Sequence, residues 1–129
     1  MKTFLAAATS IFISCNLFAQ QIDFKKFHQG TFKTYGERGE EYIIVRKDNK
    51  QIEYDVTTKS KIELSVHWLD SCTYTLQFKK YLTKNRNEQF SQDLIITVKI
   101  ITLKENSYIQ QTTSNNYEMA YIGEVFKIK

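Results

Sequence analysis

Residues 61–79, KIELSVHWLDSCTYTLQFK, decide the fold. Ile62, Leu64, Val66 and Trp68 alternate with Lys61, Glu63, Ser65 and His67, the period of two that a half-buried strand requires. Cys72, Tyr74, Leu76 and Phe78 repeat the alternation against Thr73, Thr75, Gln77 and Lys79, and the break at Leu69, Asp70 and Ser71 suits a tight hairpin. One surface of this pair therefore collects large side chains, each worth about 1.5–3 kcal/mol when fully buried. Such a surface requires a partner, and Trp68, Cys72 and Tyr74 are its expected structural residues.

Upstream of that hairpin, Gly30 to Tyr35 alternates and ends at Gly36, followed by turn chemistry from Glu37 to Glu40. Tyr42 to Lys47 is rich in β-branched residues, Asp48-Asn49 marks a turn, and Ile52, Tyr54 and Val56 then alternate with Gln51, Glu53 and Asp55. Before Gly30 the pattern is weak, with Phe24 and Phe27 as anchors of a frayed start or a single helical turn. Downstream, Tyr81 to Asp93 reads as a polar loop and Leu94 to Leu103 as a strand covered on both faces. A polar strand, Ser107 to Thr113, and a final run, Tyr117 to Ile128, complete the series, with Gly123 expected to relieve a bulge or bend. These runs predict an all-β domain, an antiparallel meander of about eight strands forming a small barrel or a strongly bent sheet. A sandwich with crossing connections would need longer links than the chain offers.

Residues 1–19 read as an export signal: Lys2 gives the positive start, Phe4 to Ile13 the apolar stretch, and Phe18-Ala19 the cleavage edge. The alternative is lipidation at Cys15, which closes the apolar run behind Ser14 and would attach the chain to a membrane. Residues 20–129 then form a single β-rich domain in the periplasm or outside the cell, about 110 residues being enough for one core. The formal net charge of +4, with 18 basic and 14 acidic residues intermixed, favours solubility without creating a basic block. Cleavage after Ala19 would leave Cys72 as the sole cysteine, expected as a small buried hydrophobe.

No pattern in the chain carries enzyme chemistry. His28 and His67 lack converging partners for catalysis or zinc and are expected to face solvent, and Glu37, Glu40 and Glu41 flank a glycine turn as ordinary solvated acids. Phosphate-binding, nucleophile-elbow and calcium-loop patterns are missing from the sequence. Lys79, Lys80, Lys84 and Arg86 gather near Tyr81 and Phe90, but Glu88 and Asp93 dilute them, so nucleic acid is not the expected partner. Trp68, Tyr74, Phe78, Tyr117 and Tyr121 argue for an interior filled by side chains, with few small residues at inward positions. The expectation is a non-enzymatic binding or interaction module without cofactor or metal. Its partner is a protein or, in the alternative reading, a small apolar ligand carried as lipocalins carry theirs. A cavity opening near Tyr35 or Tyr42 would favour the carrier, and an exposed aromatic patch would favour protein interaction.

Several short segments resemble a family of small exported bacterial β-rich proteins of unestablished function. They are Lys26-Phe27 with Gly30-Thr31-Phe32, Arg46 with Gln51-Ile52-Glu53, Val66 to Asp70 leading into Cys72-Thr73-Tyr74, Lys84-Asn85, Asn106-Ser107-Tyr108 and Gly123. The resemblance implies a secreted or lipid-anchored β domain. Some members carry the label DNA topoisomerase IV, which would require an ATP-binding and a DNA-cleaving domain that this length does not accommodate. It also implies that Phe24 stands where relatives have a cysteine, so that packing of Phe24 near Cys72 takes the place of a disulfide.

Overall fold

The computed structural model describes residues 23–84, 90–116 and 120–129. The leader, Cys15, Arg86, Tyr117 and Met119 all lie outside them. A 3-10 turn, Phe24–Phe27, is followed by β1 (Gly30–Tyr35), β2 (Glu41–Lys47), β3 (Lys50–Asp55), β4 (Lys61–Asp70), β5 (Thr73–Tyr81), β6 (Ile95–Leu103), β7 (Ser107–Ser114) and β8 (Tyr121–Lys127). Each strand pairs antiparallel with the next, and β1 pairs with β8, so the meander closes into a barrel. Of the two expected forms, barrel or bent sheet, the closed barrel is the one found.

The β4–β5 hairpin has the longest register, and its inward face is the apolar one. Ile62, Leu64 and Val66 stand opposite Tyr81, Phe78 and Leu76, and Trp68 opposite Tyr74. Register shifts between Glu63 and Leu64 and between Trp68 and Asp70 bend the pair as bulges do, which helps a sheet curl. The turn is Ser71-Cys72, with the Cys72 amide donating to Asp70 Oδ1 at 2.9 Å.

That hairpin also dictates what β3 buries. Gln51 lies opposite Leu64 and Glu53 opposite Ile62, and residues directly opposite share a face of the sheet. Gln51 and Glu53 are thus turned into the barrel, while Ile52 and Tyr54 sit half-buried on the outside and Val56 is exposed. Hydrophobic alternation alone would have chosen the opposite face for β3. The compensation is Arg46, brought opposite Gln51 by the Asp48-Asn49 hairpin.

The interior has two apolar clusters, bridged by Trp68, which packs against both. One gathers Phe24, Phe27, Phe32, Ile44, Ile100, Tyr108 and Val125 with Cys72 at the end sealed by the 3-10 turn. The other gathers Leu64, Val66, Tyr74, Leu76, Phe78 and Val98 on the β4–β6 wall. Phe24 and Cys72 fall in the same cluster. Cys72 is fully buried as expected and is disulfide-bonded, whereas the sole-cysteine reading concerns a chain cut after Ala19. The chain's other cysteine is Cys15.

The seam between β1 and β8 aligns Phe32 with Lys127, Lys33 with Phe126 and Thr34 with Val125. Beside it Gly30 adopts φ +134° and lies so close to the chain end that a Cβ would sit 2.6 Å from the Lys129 carbonyl oxygen. Only glycine permits this approach without displacing backbone. Gly123 has a different role from the expected bulge, because β8 keeps regular register with β7 through Gly123 opposite Gln110. A Cβ there would lie 3.2 Å from Tyr121 Cε1, so the missing side chain leaves room for the Tyr121 ring.

Phe27 is fully buried and meets the Tyr108 ring edge-on at 5.3 Å, whereas Phe126 faces outward and is 39% exposed. Phe27→Ala is expected to cost about 3–5 kcal/mol in urea unfolding, and Phe126→Ala within about 0.5 kcal/mol of zero. Equal effects of the two substitutions would contradict the placement of the 3-10 turn as the plug.

Candidate functional site

The interior is built around Arg46, of which 1% is accessible. Its Nε donates to Gln51 Oε1 at 2.8 Å, one terminal nitrogen donates to the Phe27 carbonyl at 2.7 Å, and the other to the hydroxyls of Tyr74 at 2.9 Å and Tyr108 at 3.1 Å. The guanidinium also lies 4.8 Å from the Phe32 ring centroid and 4.7 Å from that of Tyr74, within cation–π range. Burial works against its charge, yet the tyrosine oxygens and Glu53 outweigh that cost and hold the proton more firmly than usual. A planar fork with five donors suits these scattered acceptors, and a lysine could not reach them together.

Arg46 forms a septum across the barrel. Below it lie the 3-10 turn and the Phe27–Phe32–Tyr108 cluster, with Phe32 and Tyr108 rings edge-on at 6.2 Å. Above it, toward Tyr35 and Tyr42, is a cavity of about 230 Å³. Its lining is mixed: Ile44 from β2, Leu76 from β5 and Ile96 and Val98 from β6 are apolar, while Gln51 and Glu53 from β3 and Gln110 and Thr112 from β7 are polar, with Tyr42, Tyr74 and Tyr121 between them. A second space of about 100 Å³ adjoins it at the mouth, sharing Tyr42 and Glu53 and bounded by Asp55, Ile62 and Phe90. The interior is therefore filled at one end only, which corrects the expectation of a fully packed barrel.

Glu53 is the one carboxylate lining the larger cavity among the described residues. Its Oε2 accepts from Gln51 Nε2 at 2.6 Å, completing a relay from Arg46 through Gln51. Burial pushes its carboxyl up, against that hydrogen bond and the charge of Arg46, which pull it down. Burial likewise drives the Tyr74 hydroxyl well above the ordinary phenol range despite Arg46, so it stays protonated and can bridge Tyr108 at 3.1 Å.

The structure places three of the residues expected as structural in or against the core. Trp68 is tilted against Tyr74 at 4.5 Å, Tyr74 is buried, and Phe24 lies in the floor cluster. His67 is exposed as expected, but His28 is not: it stacks on Trp68 at 3.5 Å with an interplanar angle of 16°, and its Nε2 lies 3.0 Å from the Ser71 carbonyl. Burial lowers its pKa, although that carbonyl pulls the other way. Glu41 pairs with Lys33 at 3.7 Å on the surface, and Tyr81 and Phe90 pack with Phe78 instead of forming a platform for bases. No group of three or more potential metal ligands occurs among the described residues. The sequence reading missed Arg46, Glu53 and the cavity; the signal was the run of polar residues on alternate positions of β3 and β7.

Fold and site together define a closed eight-stranded antiparallel barrel with a plugged floor and a half-open interior. No family model matches the chain, and no curated protein matches it.

Arg46→Met leaves the Phe27 carbonyl and Gln51 Oε1 without their donor, and is expected to lower stability by on the order of 3 kcal/mol in urea unfolding. Tyr108→Phe, which keeps the ring and leaves Tyr74 on Arg46, should cost about 1 kcal/mol. His28 gives a pH signature. Its folded pKa is depressed, so the stability it contributes is present above its unfolded value of about 6.5 and is lost as pH falls through the lower folded value. His28→Gln should flatten the fall in melting temperature over that window, and an unchanged acid profile would refute the assignment.

Proposed function

We propose that this protein is an exported, non-enzymatic carrier that holds one small ligand inside the barrel. The observation that carries the reading is the 230 Å³ cavity above Arg46, lined by apolar residues of β2, β5 and β6 and by a few polar groups of β3 and β7. Ligand sites have this character: concave, mainly apolar, with a few placed polar atoms that fix orientation. The volume lies below the range of about 300–1,000 Å³ usual for drug-sized ligands, which limits the occupant to something on the order of ten non-hydrogen atoms. Arg46 keeps the floor shut independently of the ligand, so the cavity is preformed and binding costs little reorganisation.

A surface interaction module is the second reading, because Tyr35, Val45, Ile122 and Phe126 are exposed on the contiguous strands β8, β1 and β2. Export is supported by the apolar leader in residues 1–19.

Native mass spectrometry on protein from its own cells tests both parts of the reading. The expected spectrum shows a small retained adduct that is lost on denaturation and absent from a Val98→Trp variant, whose larger side chain fills the cavity. A bare polypeptide under gentle conditions, or an adduct unchanged in that variant, would count against the carrier. The same spectrum reads the terminus: a mass starting at Gln20 reports removal of the leader, and one starting at Cys15 with acyl chains reports a lipoprotein.

A further inference from the structure

We infer that the barrel cavity selects a small organic cation, an aromatic or aliphatic primary amine, which places its ammonium group against Glu53. The inference rests on the carrier reading and names its ligand class. Among the described residues Glu53 is the single charged side chain lining the 230 Å³ cavity, and it also lines the smaller space at the mouth. It makes no salt bridge among the described residues, whereas Glu41, Glu63 and Glu124 each pair with a lysine on the surface. One Glu53 oxygen is held by Gln51, which fixes the carboxylate in orientation and leaves the other oxygen for a ligand.

Among the described residues, the groups facing Glu53 carry one positive charge, that of Arg46, whose donors are engaged elsewhere. From β2 come Tyr42 and Arg46; from β3 itself comes Asp55, whose Oδ1 accepts from the Thr57 and Thr58 amides at 2.9 and 3.2 Å. From β5, β7 and β8 come Tyr74, Tyr108 and Tyr121, while the neighbouring inward residues of β4, Ile62 and Leu64, carry no charge. Arg46 spends its donors on Gln51, Phe27, Tyr74 and Tyr108 and does not line the cavity, so an anionic ligand finds no free cation there. Asp55 adds negative potential at the mouth. The apolar residues Ile44, Leu76, Ile96 and Val98 of the lining take the body of the amine.

An ammonium bound this way requires Glu53 to be ionised. Since burial holds that carboxyl above the usual range, amine affinity should weaken as pH falls through the raised value while the ammonium itself stays charged.

Isothermal titration with 2-phenylethylamine and its neutral near-isostere 2-phenylethanol tests the assignment. The wild-type protein should bind the amine at least tenfold more tightly, with that advantage shrinking in acid. Glu53→Gln should bind the two probes equally. Equal affinities in wild type, a preference that survives Glu53→Gln, or a preference independent of pH would overturn the cation assignment and leave the carrier standing. Failure of both probes to bind wild type would overturn the carrier reading with it. The pH series on wild type gives the answer even if the Glu53→Gln variant does not fold.

Discussion

The guanidinium of Arg46 is the constraint from which the interior follows. A charge taken this far from water is tolerated only when its donors are nearly all satisfied, and the barrel supplies an amide oxygen from β3, a carbonyl from the 3-10 turn and hydroxyls from β5 and β7. Those partners come from four separate parts of the chain. One side chain thereby fixes where the plug docks, how deep Tyr74 and Tyr108 sit, and where apolar packing stops. A leucine at the same place would satisfy packing but leave the floor open to slip. The septum also separates two tasks: stability is concentrated in the aromatic cluster beneath it, and the space above it can stay partly empty.

How much of this was legible in the sequence differs by element. The β4–β5 hairpin, the turn at Asp48-Asn49 and the meander itself are all local, so alternation and turn chemistry sufficed to read them. Which face of β3 points inward is not local. Ile52, Tyr54 and Val56 look like the core face, yet Gln51 and Glu53 occupy it because β4 holds the register opposite Leu64 and Ile62. A strand whose inward face is polar signals a buried network or a cavity, and here it signals both. Ser107–Ser114 gave the same hint, since Gln110 and Thr112 sit on alternate positions of a strand that is central in a closed barrel.

His28 was misread because it lies outside the regular strands, where period-two reasoning says nothing, and is positioned by a contact distant in sequence. The 3-10 turn that precedes it carries it onto Trp68. The segment Arg46 with Gln51-Ile52-Glu53 entered the sequence reading only as one piece of a family resemblance. Its meaning became physical only when the hairpin folded Arg46 over Gln51.

The seam between β1 and β8 sets the order in which the molecule can assemble. Every other ladder joins neighbours in sequence, so each can zip from its own turn, whereas the seam unites Phe32 with Lys127 and must close a loop spanning almost the whole domain. Chain entropy delays such a contact until the intervening hairpins have shortened the path between the ends. Until that last ladder forms the sheet is an open trough, and the guanidinium and its carboxylate neighbour remain hydrated; the low-dielectric chamber comes into being in a single late step.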